Sequence, residues 1–564
     1  MLKIHCPNCK TEYELEDKYF DQKLKCEVCG LKFTPSQGGN NQIKPPYAPQ
    51  GNITSSLINN RSINNVSSIS SNLQQIKTIT CPHCWKQFDI KDINYISRHI
   101  ELVGDTILGS EAQTRFIPSR FSPAGIPLDA KGIECHEKAC PNCHLKIPES
   151  LIDYPSSYFS IIGAPASGKT YFLTTMLWKI RKCLSQYFEE NITDVDMTLN
   201  MVLNDYETKL FLNDKPDQLV ALPKTELQGK GFSTQILLND MPVDLPNPFI
   251  FALTPIFSNN VSSISNIRRN LILYDNAGEH FEPGQENVNN LATFHLMYSD
   301  GLIFLFDPLQ DSRFKSECGK DDPQTQNYSA INQLSLFYEM ANRIRSFKGL
   351  HIAEKYKHPL VIAISKFDVF RNLIKFEIKD DDFLFFEEKE MEYYLNTDNI
   401  INVSFLIRQK LIEIIPELVG AAESFAENVY YLPVSALGTS PKIINSNSDN
   451  HRILGISPSD IHPFWVEVPL LLLMYLHGYI KGNDGLLEEK EEISQYQILN
   501  DTIRFIFPGC RKRYELPKTY CGHNVFSIEN GKYYKLPIIE NEIKPQETSE
   551  NRDNTLFDNS FWNN

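Results

Sequence analysis

The sequence has no apolar run long enough to cross a bilayer. Its most apolar stretch, Val468 to Tyr475, is far short of the ~20 residues a spanning helix needs. It also lacks an excess of positive charge. With 55 Lys and Arg against 70 Asp and Glu, the formal net charge is −15. That argues against charge-driven binding to nucleic acid or an anionic membrane, since both need a dense basic face. No apolar leader opens the chain, which runs from Met1 straight into a cysteine motif at Cys6. Internal repeats are missing too, apart from doubled Cys-x-x-Cys pairs. These absences set the expectation of a cytoplasmic protein. In such reducing surroundings the 13 cysteines are expected as metal ligands rather than disulfides.

What is present is a globular composition, 41% hydrophobic and 22% charged, over 564 residues, enough for one large domain plus accessory modules. Residues 1–36 hold one pair of Cys-x-x-Cys motifs, and 37–78 read as a flexible Asn- and Ser-rich linker. A second cysteine module with a long insertion spans 79–150, an α/β region spans 151–485, and 486–564 reads as a small β-rich extension with a polar tail. Within the α/β region, apolar runs of strand length occur at Tyr158–Ile162, Pro248–Phe257, Asn270–Tyr274, Gly301–Asp307, Pro359–Ile364 and Val429–Val434. The second and third are expected to form an antiparallel pair. Fully apolar runs separated by helical stretches predict a central sheet buried on both faces.

The first of these runs ends in Gly163-Ala164-Pro165-Ala166-Ser167-Gly168-Lys169-Thr170, followed by a helical pattern that starts at Tyr171. The octet matches G-x-x-x-x-G-K-[ST]. Glycines let successive N–H groups curl around phosphate oxygens, the Lys169 ammonium meets the β- and γ-phosphates, and the Thr170 hydroxyl ligates Mg²⁺. Further along, Leu271 to Gly278 is an apolar strand ending in D-x-x-G. There Asp275 can hold Mg²⁺ through water, and the Gly278 N–H can meet a γ-phosphate. Ser365-Lys366-Phe367-Asp368 follows another strand. A carboxylate at Asp368 can accept from both N1–H and the exocyclic amine of guanine, whereas adenine would leave it buried and unsatisfied. Ser435-Ala436 ends a further strand, where a backbone N–H can reach guanine O6.

In that order, the four elements resemble the Ras-like, translation-factor-related superclass of P-loop GTPases. The resemblance covers about residues 155–480 and implies an α/β, Ras-like three-layer sandwich binding GTP or GDP with Mg²⁺. The implied nucleotide contacts are Gly163, Ala166, Ser167, Gly168, Lys169, Thr170, Tyr171, Asp275, Gly278, Ser365, Lys366, Asp368, Ser435 and Ala436. Two departures matter. Ser365 stands where Asn or Thr is usual, and the stretch between Lys169 and Asp275 is long, leaving Thr225 and Thr234 as alternatives for the switch threonine. The water-orienting slot after Gly278 holds Glu279, with His280 next, so catalysis would fall to Lys169 with Glu279 or His280.

Cys6, Cys9, Cys26 and Cys29 form C-x₂-C-x₁₆-C-x₂-C, the spacing of a tetrahedral zinc ribbon. Cys81, Cys84, Cys140 and Cys143 form a second set, and Cys140-Pro141-Asn142-Cys143 echoes Cys6-Pro7-Asn8-Cys9. Cys135 and His136 lie near enough in sequence to substitute for a ligand, while Cys510, Cys521 and His523 are too scattered for a site. The ribbons together with the Gly163–Thr170 loop and Asp275-Asn276-Ala277-Gly278-Glu279 resemble bacterial double-GTPase-like families that carry N-terminal zinc ribbons. Those families are linked to conflict or signalling systems. The resemblance implies a GTP-hydrolysing switch with ribbons that dock protein partners. The alternatives are a nucleotide-bound scaffold with negligible turnover, or an ATPase, against which Asp368 and Ser435-Ala436 argue.

Overall fold

The computed structural model describes residues 78–223, 233–238, 241–256, 268–275, 291–318, 322–326, 332–374, 376–446, 452–483, 490–527, 529–530 and 532–539, together with four short strands before residue 34. The chain divides into two compact units, Met1–Ile53 and Thr54–Asn564. In the first, Leu2–His5 pairs with Glu12–Leu15 and Leu24–Lys25 with Lys32–Phe33, both antiparallel. Cys6, Cys9, Cys26 and Cys29 fall in the connections of these hairpins and lie outside the described residues.

The second unit is built on a seven-stranded sheet. Its strands in chain order are β1 (Ser156–Gly163), β2 (Glu190–Asp194), β3 (Phe249–Pro255), β4 (Arg269–Asp275), β5 (Gly301–Phe306), β6 (Leu360–Ile364) and β7 (Val429–Pro433). In space they run β2-β3-β4-β1-β5-β6-β7. Strands β4, β1, β5, β6 and β7 are mutually parallel, whereas β3 is antiparallel to both of its neighbours. All six residues of β5 and all five of β6 are buried, as a sheet covered on both faces requires. The antiparallel pairing of β3 with β4 is the one expected from sequence. Strand β2 was not anticipated. At the edge of the sheet it buries Glu190 and Ile192 and leaves Asn191 and Thr193 exposed, so it carries no apolar run to betray it.

Helices α1 (Lys169–Tyr187), α2 (Met201–Phe211), α3 (Gln333–Lys348), α4 (Thr397–Ile414) and α5 (Pro416–Phe425) join the sheet in one hydrophobic core. α1 buries Phe172, Leu173, Met176, Leu177, Ile180 and Leu184, the spacing of one helical face. α1 packs on β1 and β2, and α4 packs on β7. The segment after residue 490 belongs to the same core through Ile503, Phe505, Leu516, Tyr520 and Val525. The acidic stretch 377–392 contains the first strand and the turn of a hairpin, Leu384–Glu387 with Glu392–Leu395.

Side chains alternate across β4. Leu271 and Leu273 enter the helical core, while Ile272 and Tyr274 enter a second cluster with Ile250, Cys81, Cys84, Trp85, Cys140 and Cys143. The hairpin Ser233–Leu238 with Met241–Pro246 adds Ile236, Val243 and Leu245 to that cluster. Part of one sheet face is thus covered by the second cysteine module, together with the short helix Leu291–Met297. No helix among the described residues is long and apolar enough to cross a membrane.

Candidate functional site

Parallel strands set their carboxyl ends along one edge, and ligands of open α/β sheets bind outside that edge. Here β4, β1, β5, β6 and β7 bring Asp275, Gly163, Asp307, Ser365 and Ser435 to it, each at or just beyond its strand's last residue.

From β1 the chain turns through 164–168 into α1. Gly163 has no room for a side chain, since a Cβ would lie 3.0 Å from the Leu305 carbonyl oxygen and 3.0 Å from Ser167 Oγ. Gly168 holds φ at +87°, where a Cβ is strained. This turn puts Lys169 and Thr170 in the first turn of a 19-residue helix, whose free N–H groups and dipole favour an anion. Lys169 is buried, its ammonium 3.0 Å from Asp275 Oδ1. Among the described residues, neither Asp275 oxygen has a hydrogen-bond partner apart from that ion pair, and Ser167 Oγ and Gln310 Oε1 have none either. Each such buried orphan costs roughly 1–3 kcal/mol. Their gathering around one loop marks a place where further polar partners belong. Gly278, Glu279 and His280 lie outside the described residues, as does Thr225.

The neighbouring strand ends are tied to the loop. Lys366 adopts φ of 57° and points its ammonium at Asp307 Oδ2, 2.6 Å away. Asp307 is fully buried, and Gln333 grips its backbone by both the N–H and the carbonyl, each at 2.7 Å. Gln310 Nε2 donates to Asp307 Oδ2 at 3.2 Å and to the Pro165 carbonyl at 3.0 Å. Ser365 Oγ donates to the Ser167 carbonyl at 3.4 Å. Asp307, Gln310 and Gln333 were not singled out by the sequence motifs. The available signal was an acid closing an otherwise apolar strand.

Burial pushes the Asp368 carboxyl above the usual carboxylate range, and the hydrogen bond donated by the Ser435 hydroxyl pulls the other way. Ser435 Oγ in turn accepts from the Gly438 N–H at 2.8 Å. Ser435 and Phe464 exchange backbone hydrogen bonds of 2.9 and 2.8 Å, which fixes the loop that carries the half-buried Ala436. The Tyr171 hydroxyl accepts from the Leu222 N–H at 2.9 Å, so its side chain secures the 220–222 segment. The Thr234 hydroxyl donates to Asn247 Oδ1 at 2.8 Å, in the hairpin that packs with the cysteine module.

Cys81, Cys84, Cys140 and Cys143 are all buried, with their sulfurs within 4.8 Å of one another. Cys81 Sγ is 3.7 Å from Cys143 Sγ, and Cys84 Sγ is 3.7 Å from Cys140 Sγ. A tetrahedron with Zn–S bonds of about 2.3 Å has edges of about 3.8 Å, so the four thiols fit Zn²⁺. The two knuckles match. The Cys81 N–H donates to the Lys86 carbonyl at 3.1 Å and the Cys140 N–H to the Leu145 carbonyl at 2.9 Å. Backbone N–H groups of His83 and Asn142 reach Cys81 Sγ and Cys140 Sγ at 3.4 and 3.3 Å, as thiolate ligands require. Trp85 and His144, each following a second cysteine, hold φ of 56° and 59°. Burial holds the Cys81 thiol up, while hydrogen bonding with Cys140 holds that of Cys84 down. Among the described residues no other such cluster occurs, and Cys135, His136, Cys510, Cys521 and His523 stand outside this one.

Among solved structures, the chain is similar to a variant of SsGBP, at 10% identity over 50% of this chain and 51% of that one, with a TM-score of 0.19. It is similar to Era of Aquifex aeolicus bound to GDP and AlF4−, at 12% identity over 53% and 62%, with a TM-score of 0.18. It is also similar to the GTPase-like domain of S. cerevisiae Ski7 bound to GTP, at 13% identity over 67% and 62%, with a TM-score of 0.23. The chain spans about half the length of the SsGBP structure. No family model matches the chain, and no curated protein matches it.

Proposed function

We propose that the chain is a Ras-like P-loop protein that binds GTP with Mg²⁺ along the carboxyl edge of its sheet and hydrolyses it as a switch. The reading rests on one observation: the loop before Lys169, Asp275, Lys366 with Asp368, and Ser435-Ala436 lie at the carboxyl ends of parallel strands of one sheet. In the nucleotide complex the Lys169 ammonium leaves Asp275 for the β- and γ-phosphates. Thr170 and Asp275 then hold Mg²⁺, the latter through water. The Lys366 stem lies across the base. Guanine's two N–H donors satisfy the Asp368 carboxylate, whose burial makes an unmatched base costly. The Ala436 N–H meets O6, Gly278 meets the γ-phosphate, and Glu279 or His280 orients water. The second cysteine set, and by its spacing the first, holds structural Zn²⁺ and serves docking to protein partners, in keeping with the resemblance to conflict or signalling GTPases.

Glu279 in the water-orienting slot keeps a second reading open, a GTP-loaded scaffold with negligible turnover. Purified protein tested for binding and turnover separates the two. GTP is expected to bind and ATP not to. Lys169→Ala is expected to cost about 100-fold in affinity, the loss of a buried charge-assisted contact. Asp368→Asn exchanges preference from GTP to XTP, whose base carries an oxygen where guanine has its amine. Equal affinity for GTP and ATP would remove the guanine assignment, and tight binding without turnover selects the scaffold.

A further inference from the structure

Trp85 follows the metal ligand Cys84 directly and is almost wholly buried, at 1% exposure. Its indole N–H donates to the Tyr274 hydroxyl at 3.3 Å, and that hydroxyl donates to the carbonyl of Pro82, which lies between Cys81 and Cys84. One cysteine knuckle therefore grips the Tyr274 phenol from two sides. Tyr274 is the residue before Asp275 on β4. The same indole touches the rings of Phe294 and His295, at 6.1 and 6.2 Å between centroids. His295 stacks on Tyr274 at 4.6 Å, and its Nδ1 lies 2.7 Å from Ser160 Oγ, three residues before Gly163 on β1. The knuckle thus braces β4, which ends in Asp275, and β1, which leads through the 164–168 loop to Lys169.

We propose that the Cys81–Cys84–Cys140–Cys143 centre and the nucleotide site are thermodynamically linked, with Trp85 and Tyr274 as the positioning residues between them. The knuckle keeps its turn because two thiolates share a cation, and without the cation that turn is lost. Among the described residues the Lys169 ammonium is what meets the Asp275 carboxylate, so the placing of that pair follows the backbone of β4, which Tyr274 pins. The contacts between are buried, and water cannot absorb a displacement. Linkage is reciprocal: the factor by which the metal raises nucleotide affinity is the factor by which nucleotide raises metal affinity. A purely structural Trp85–Tyr274 contact would stabilise the fold without making metal affinity depend on nucleotide.

The inference rests on the guanine-nucleotide reading for the identity of the second ligand. The full chain with Cys6, Cys9, Cys26 and Cys29 changed to Ser isolates the second centre. Its zinc affinity is measured by competition with a chelator of known affinity, without nucleotide and with saturating GDP or a non-hydrolysable GTP analogue. Saturation is set beforehand by direct binding. The GTP analogue is expected to tighten zinc by about fivefold or more. Tyr274→Phe, which keeps the ring and removes the hydroxyl, is expected to abolish most of that gain while retaining one zinc and nucleotide binding. Nucleotide binding with unchanged zinc affinity overturns the linkage alone, and a full gain in Tyr274→Phe overturns the positioning role of the Tyr274 hydroxyl. Absence of guanine binding overturns the proposed function, and the linkage with it.

Discussion

Asp307 gathers charge that the sequence motifs leave unexplained. Its carboxylate receives the Lys366 ammonium, the Gln310 amide and the Leu309 N–H, and no water can replace them at a fully buried position. Asp307→Asn keeps the shape and removes the charge. It is expected to weaken GTP and GDP alike by about tenfold, measured calorimetrically, because it loosens Lys366 over the base and leaves the phosphate contacts in place. Combined with Lys366→Met the two losses should fall short of additive, as for residues in one ion pair. The reason this pair escapes a linear reading is plain. The octet from Gly163 to Thr170 holds its chemistry in consecutive residues, whereas Lys366 and Asp307 are separated by 59 positions. Asp368 and Ser435 could be singled out as candidates because each belongs to a short motif. Their direct hydrogen bond could not.

The buried strands β1, β4, β5, β6 and β7 were readable because a strand covered on both faces becomes a continuous apolar run. Edge strand β2 was hidden by its one-sided burial, and it carries a testable consequence. Burial pushes the Glu190 carboxyl up to about 8 from its ordinary 4.5, against the pull of the Arg269 guanidinium. A carboxyl raised in the folded state binds a proton there that the unfolded chain has released. Its contribution is therefore complete below about 4.5 and is lost as pH rises to about 8. Thermal melts should show stability falling over that interval, and Glu190→Gln should flatten the fall. At the other end of the sheet, a Cβ on Gly438 would lie 1.8 Å from the His462 carbonyl oxygen, so the Ser435-Ala436 loop accepts nothing larger than glycine there.

For the whole molecule, the second cysteine module is part of the packing and not an appendage. Tyr274, Ile272 and Ile250 have the module and its neighbouring hairpin as their cover. Cys84→Ser should lower bound zinc by one equivalent, from about two per chain. It should also lower the melting temperature of the main calorimetric transition, without adding a separate early transition. A linear reading divides the chain into consecutive blocks. It could find each knuckle from spacing, but it had no means of seeing Trp85 meet Tyr274 across 189 residues.

The position of that module also bears on how the protein is made. Cys143 leaves the ribosome roughly 130 residues before Tyr274, on the order of ten seconds at ordinary elongation rates. When β1 emerges shortly afterwards it has neither neighbour, since β4 and β5 come later in the chain. A zinc-loaded module is then a finished surface waiting for the strand it will cover. In a cell short of zinc, β4 emerges with Ile272 and Tyr274 uncovered, and the nascent chain is exposed to aggregation well before any nucleotide can be bound.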